Sequence, residues 1–131
     1  MENLDPKYQA LFTPWKVGNV EIKNRIVMCP MGGTSLFGWF ELGGCHFDKE
    51  AAKLFLERAN NNVGLIIPGI APLRDTFWGK WLWQNPKMFE ELKEFMDEIH
   101  KTGAKLFIQL TAGMGRSWAI TELVAPLHKN K

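Results

Sequence analysis

The chain is poor in the features that mark an exported, membrane-bound or nucleic-acid-binding protein. Its 131 residues include only 2 cysteines. Cys29 and Cys45 form neither a CxxC pair nor a disulfide framework, so reduced thiols in a cytoplasmic protein are expected. No apolar run approaches the roughly 18 residues that span a bilayer. The opening MENLDPKYQ is acidic and polar where a secretory signal is basic and then apolar, so no membrane partner is expected. Like charges never run to five or six in a row, and 16 Lys and Arg against 14 Asp and Glu leave a formal charge of +2. The small excess lies largely between His128 and Lys131, and nucleic acid is not an expected partner. Cys45-His46 has no second such pair elsewhere, which argues against a zinc site, and no metal ligands are expected.

The residues that are plentiful describe a globular core. Hydrophobic residues make up 46% of the chain and charged residues 23%, with 9 Phe and 6 Trp to bury. Residues 15–26 alternate in short bursts around Gly18-Asn19, a pair that tolerates the positive φ of a tight turn. The pattern predicts a hairpin in which Lys16–Val17 pairs with Val20–Ile22. Arg25–Cys29 is a short apolar strand that Pro30 ends, because proline has no N–H to donate. A glycine-rich loop from Gly32 to Gly44 follows. Phe47, Ala51, Leu54, Phe55 and Ala59 recur at helical spacing, predicting a helix from about Asp48 to Asn61. Val63–Pro68 is an unbroken apolar run suited to a parallel strand buried on both faces. A tryptophan-rich loop covers Pro72–Gln84. Pro86 can open a second helix, striped by Met88, Phe89, Leu92, Phe95, Met96 and Ile99 as far as His100, and Gly103 supplies a stop. Leu106–Leu110 is the third strand.

Alternation of strand and helix implies a parallel sheet, and pattern alone leaves a barrel and an open doubly wound sheet both standing. Two stretches, KNRIVMCPMGG and LFIQLTAGMGR, run an apolar strand straight into a loop of Gly, Pro, Gln and Thr. In a (β/α)₈ barrel the C-terminal ends of the strands carry the chemistry, so a cofactor site at Cys29, Pro30, Met31, Gln109 and Thr111 is the first expectation. A Gln amide carries donor and acceptor on one side chain and can read an edge where they alternate. Read alone, Gln109 could instead bond a neighbouring strand, and Cys29 could be a small buried hydrophobe. Gly113, Gly115 and Arg116 fall short of a GxGxxG fingerprint, and no helix follows them in the pattern.

Three separated motifs in order, LFTPWKVGNVEIKNRIVMCPMGG, RANNNVGLIIPG and HKTGAKLFIQLTAGMGR, closely resemble the N-terminal part of the Old Yellow Enzyme family of FMN-dependent oxidoreductases. The likeness covers Leu11 to Trp118. It is strongest to the bacterial branch of 2-enoate, 2,4-dienoyl-coenzyme A and bile-acid-type enone reductases. The resemblance implies that residues 1–131 are the N-terminal portion of an FMN-binding TIM (β/α)₈ barrel, with residues 15–26 as the bottom-capping hairpin and strand lead-in. It implies FMN against Cys29, Pro30, Met31 and Gly32 after the first strand, Gly69 after the second and Gln109 after the third. Gly32, Gly33 and Gly69 would let the backbone approach a planar ring, and N–H groups aimed at its carbonyl oxygens would stabilise a reduced flavin. The implied reaction passes hydride from NADH or NADPH through flavin to the activated C=C bond of a small enone or enoyl substrate.

The chain departs from its likeness at several points. Thr111 stands where many relatives have His, and Gly32 offers no side chain where others have Thr or Cys. Phe77, Trp78, Trp81 and Trp83 could line an apolar mouth for substrate, or pack on their own loop or a neighbouring subunit. A whole barrel needs roughly 250 residues. The family's later substrate-anchoring, proton-donating and phosphate-binding groups find no counterpart in this chain, so catalytic residues are unassigned. A 4Fe–4S cluster in the longer parent would find no ligating thiols in this chain. Alone, such a part is expected to bind FMN weakly at best and not to turn over. An open three-stranded sheet would leave an edge exposed, so a homo-oligomer or association through that edge is expected. The alternative from another class is a non-catalytic interaction module whose sheet is completed by a partner chain.

Overall fold

The computed structural model describes residues 5–31, 36, 47–72 and 86–111. A 3₁₀ helix over Pro6–Phe12 opens the chain, capped by the Asp5 carboxylate, which accepts from the Lys7 N–H at 3.0 Å. Sequence pattern gave no sign of it, since a 3₁₀ helix of 7 residues is too short to show a stripe of apolar residues. The expected hairpin follows as β1 (Trp15–Val17) and β2 (Val20–Ile22), with Trp15 opposite Ile22 and Val17 opposite Val20. Gly18 at its tip has φ 57°, a backbone that most side chains resist.

Two helices cover one face of a parallel sheet. Helix α1 (Lys49–Asn60) starts where Asp48 accepts from the Glu50 and Ala51 N–H groups, at 2.9 and 3.0 Å. It ends at Asn61, followed by Asn62 at φ 72°. Helix α2 (Pro86–Lys101) opens on proline, which gives up an N–H that has no intrahelical partner in any case. Gly103 at φ 76° turns the chain after it. Ala52, Phe55 and Ala59 from α1 meet Met88, Leu92, Phe95 and Ile99 from α2 in one core with Leu36, Ile66 and Ala104. Phe47 tilts onto Phe95, ring centroids 5.7 Å apart. Phe89 is a correction to the expected stripe: one residue on from Met88 it lies about 100° round the helix, and it is 47% exposed.

The strands are shorter than their apolar runs. In the main sheet β3 (Val27–Met28), β4 (Leu65–Ile66) and β6 (Lys105–Leu106) lie parallel in that order. Val27, Leu65 and Lys105 form one row across the sheet, and Met28, Ile66 and Leu106 the next. The second row packs toward the helices, with Ile66 inside the core and Met28 and Leu106 against it. The expected strand Arg25–Cys29 thus contracts to two residues. Val63–Pro68 and Leu106–Leu110 each break and resume, as β5 (Ile70–Pro72) and β7 (Gln109–Thr111), which pair parallel in a second small sheet. Pro72, expected to begin the tryptophan loop, ends β5.

The end of the sheet where the strands begin is held by a polar clasp around Asn24, which is 2% exposed. Its amide nitrogen donates to the Asn62 carbonyl at 2.7 Å, its side-chain oxygen accepts from the Ile26 N–H at 3.0 Å, and its backbone carbonyl accepts from the Trp15 indole at 2.7 Å. Lys23 reaches across to donate to the Thr102 carbonyl at 2.8 Å. The hairpin and the loops that follow both helices are thereby tied to one point.

Candidate functional site

The opposite end, where the strands finish, gathers most of the residues expected to meet a cofactor. Cys29, Pro30 and Met31 leave β3 directly, Gly69 sits between β4 and β5, and Gln109 opens β7. Adjacency follows from the ladder: the Ile67 N–H donates to the Met28 carbonyl and the Phe107 N–H to the Ile66 carbonyl, both at 2.9 Å. The three chains therefore emerge side by side. Gln109 lies opposite Ile70, the neighbour of Gly69. Gly32 falls outside the described residues, as do the tryptophan cluster from Phe77 to Trp83, the Cys45-His46 pair and the Gly113–Arg116 loop.

This rim differs in character from the clasp below it. Met31 is 57% exposed, Ile108 43% and Leu110 56%, and Cys29 and Gln109 are exposed as well. Gly69 is buried, and Pro30 is half-buried. Ile108 and Leu110 flank Gln109 along the chain and so lie on the other face from its amide. Exposed Met31 and half-buried Pro30, with Gly69 and the Gln109 amide on the neighbouring strand ends, suit a flat, largely apolar ring with a polar edge, because such a ring covers apolar surface while the amide pairs its heteroatoms. The residues present thus fit an isoalloxazine. Cys29 as a small buried hydrophobe does not hold, since it is an exposed free thiol.

A groove of about 380 Å³ on the outer face of the helices, floored by Phe47, Ala52, Leu56 and Phe95, is a separate feature. Lys49 and Lys53 face Glu90, Glu94 and Glu98 across it, and none of the strand-end residues lines it. Among the described residues no helix is long and apolar enough to cross a membrane. Lys23, in the clasp, has its pKa pulled below the ordinary lysine value by burial. Asp5 at the surface is held below the usual carboxylate value by its hydrogen bonds with Lys7. Neither lies at the rim.

One feature at the rim was hidden from pattern reading. Leu65 pairs with Lys105 and Ile66 with Leu106, whereas Ile70 pairs with Gln109. Four steps along the second strand therefore match three along the third, a bulge of one residue around Ile67–Gly69. Bulges gather at barrel rims beside functional sites, and the double proline of MCP and IIP was the available signal for this one.

Known proteins with this arrangement are recognisable. The profile of the NADH:flavin oxidoreductase / NADH oxidase family matches residues 10–126. A cinnamate reductase of Clostridium sporogenes is 35% identical over 117 residues, covering 84% of this chain and 17% of the relative. An NADPH dehydrogenase of Listeria welshimeri is 31% identical over 120 residues, covering 88% of this chain and 34% of the relative. The crystal structure of Old Yellow Enzyme from Pichia sp. AKU4542 superposes with a TM-score of 0.63 at 26% identity, over 90% of this chain and 30% of that one. The chain thus spans about a third or less of the lengths of these relatives. With parallel strands, covering helices and strand-end loops in the same order, the chain belongs to the NADH:flavin oxidoreductase / NADH oxidase family, and its elements form the opening part of that family's TIM barrel, without closure.

Proposed function

We propose that this chain is the N-terminal, FMN-contacting part of a flavin-dependent ene-reductase. The observation that carries the reading is the convergence of three parallel strand ends, bearing Cys29–Met31, Gly69 and Gln109, on one edge of the sheet in a member of this family. FMN bound there would supply hydride transfer between NADH or NADPH and the activated C=C bond of a small enone or enoyl compound. The chain's own share is placement. Gln109 pairs the polar edge of the ring, Gly69 gives the close approach, and Cys29, Pro30, Met31 and Gly32 lie against the ring face. The parent acts in the cytoplasm, and the groups that anchor substrate and deliver the proton belong to later strands. Alone, this part binds FMN weakly and does not turn over.

The test is a fluorescence titration of the chain with FMN beside Gln109→Ala. Leaving a polar ring edge unpaired costs about 1–3 kcal/mol, so affinity should fall roughly tenfold or more. Equal affinities would remove Gln109 from the site. A second reading, association through the sheet, is favoured by β3 and β6, which are the outer strands of the main sheet and each have one side without a strand partner among the described residues. Such edges invite pairing with another chain. Size-exclusion chromatography with light scattering should show an oligomer, and a stable monomer that binds no apolar dye would reject this.

A further inference from the structure

We propose that Pro68 is a positioning residue for Gln109, setting the register that brings its amide to the rim; the inference deepens the flavin-site reading and rests on it. In a parallel ladder each bonded residue of one strand receives from and donates to its neighbours on the other in strict alternation. The Lys105 N–H donates to the Gly64 carbonyl and the Phe107 N–H to the Ile66 carbonyl, each at 2.9 Å. The next rung calls for an N–H at position 68 to reach the Phe107 carbonyl, and proline has none. The ladder between the second and third strands stops at that point. When pairing resumes, the second strand has gained one residue and Gln109 lies opposite Ile70 instead of Gly69. The Pro68 ring is fully buried, so its place is held by packing rather than chosen by a mobile loop.

Pro30 plays the same part on the other side. The Leu65 and Ile67 N–H groups donate to the Ile26 and Met28 carbonyls, at 3.3 and 2.9 Å, and the following rung needs an N–H at position 30. Two prolines in neighbouring strands thus end two ladders at one height, and they divide the sheet into a base and a rim. A slip of one residue exchanges the faces that a strand presents relative to its neighbour. With an N–H at 68 the base register would run on, Gln109 would fall opposite Gly69, and its amide would sit one residue out of place against the second strand.

The experiment compares the chain with Pro68→Ala, and with a chain carrying lactic acid at 68, which has neither the ring nor the N–H. Cross-strand nuclear Overhauser contacts of Gln109, read without flavin, should run to Ile70 in the unmodified chain and shift toward Gly69 in Pro68→Ala, whose new amide becomes protected from exchange. FMN affinity should fall about tenfold in Pro68→Ala, with a changed visible circular dichroism of the bound flavin. The melting temperature should fall as well, because the buried ring is lost, so affinity is compared at a temperature where both chains are folded. The lactate chain should keep the original contacts and affinity. Gln109 contacts unmoved in Pro68→Ala, or a moved register with unchanged affinity and flavin spectrum, would overturn the proposal. Should the alanine variant fold poorly, the lactate chain decides alone, and Gln109 contacts to Gly69 in it would overturn the proposal. Absence of FMN binding by the unmodified chain would instead sink the flavin reading, and the flavin-free contacts would still decide the register.

Discussion

Replacing Gly64 by alanine tests how the sheet is anchored. Gly64 opens the second strand between its neighbours, donating to the Ile26 carbonyl at 3.0 Å and accepting from the Lys105 N–H at 2.9 Å, so its backbone has no room to move. A methyl group at this position would overlap the Asn24 side-chain oxygen and come within 3.0 Å of its Cγ and of its backbone carbonyl. The Asn24 amide would be expelled, giving up its bonds to the Ile26 N–H and the Asn62 carbonyl. Two bonds lost inside a protein cost about 0.5–1.5 kcal/mol each, and overpacking adds about 1–3 kcal/mol. Gly64→Ala should therefore cost about 3–4 kcal/mol. Asn24→Ala loses the same bonds without the clash and should cost about 2 kcal/mol. In the double variant the side-chain overlap is gone and only the tight approach to the backbone carbonyl remains, so the cost should stay at about 3 kcal/mol instead of reaching the sum. Urea unfolding followed by far-ultraviolet circular dichroism, with the slopes checked for constancy, gives all four corners of the cycle. A Gly64→Ala penalty just as large without the Asn24 side chain would refute the steric argument.

Two further outcomes follow from local geometry. Asp48→Ala removes the acceptor of two N–H groups at the start of the first helix and should cost about 1 kcal/mol, with Asp48→Asn within a few tenths, as measured by the same unfolding assay. Burial lowers the Lys23 pKa, so between that lowered value and the ordinary 10.5 the unfolded chain binds more protons than the folded one. Stability contributed by this group should rise with pH across that interval, and Lys23→Met should flatten the slope. An Nζ titration by nuclear magnetic resonance with its midpoint at or above 10.5 would contradict the assignment.

Helices were the legible part of the fold because their signals are local. Asp48 before an apolar series, Pro86 at a first turn and Gly103 after a last one each state a boundary in the residue that makes it, and the structure places both helices within a residue or two of those marks. Strand existence and order were equally readable, from apolar runs set between helices. Strand length was not. Whether Ile67 stays in a ladder depends on a donor in the adjacent chain, and Pro30 and Pro68 act across strands rather than along them. The split into β4 with β5 and β6 with β7 was therefore invisible to periodicity. Cys29, Pro30, Met31, Gln109 and Thr111 could be named because a parallel sheet brings all its strand ends to one side, which needs only the order of elements, whereas Gly69 was named only through the family resemblance. The register between Gln109 and Ile70 needs the bulge as well.

The structural anchor and the proposed binding site lie at opposite ends of the same few strands, as barrel architecture allows. At the base, Asn24, Lys23 and the Trp15 indole supply side-chain bonds to carbonyls and N–H groups of three loops, which is what a structural anchor requires. At the rim, two prolines withhold the donors that would continue the ladder, and Met31, Ile108 and Leu110 remain exposed. A ligand must find surface and hydrogen-bonding capacity not already committed to the fold, and the rim offers both in exposed Met31 and the exposed Gln109 amide. The two ends should consequently respond independently. Asn24→Ala should lower the unfolding midpoint and leave FMN affinity of the folded chain within about twofold, since sites that share no partners combine additively. Gln109→Ala should weaken FMN by about tenfold and leave the midpoint unchanged, because an exposed side chain contributes little to folding. If Asn24→Ala weakened FMN as much as Gln109→Ala does, under conditions where the chain remains folded, the division between base and rim would be wrong.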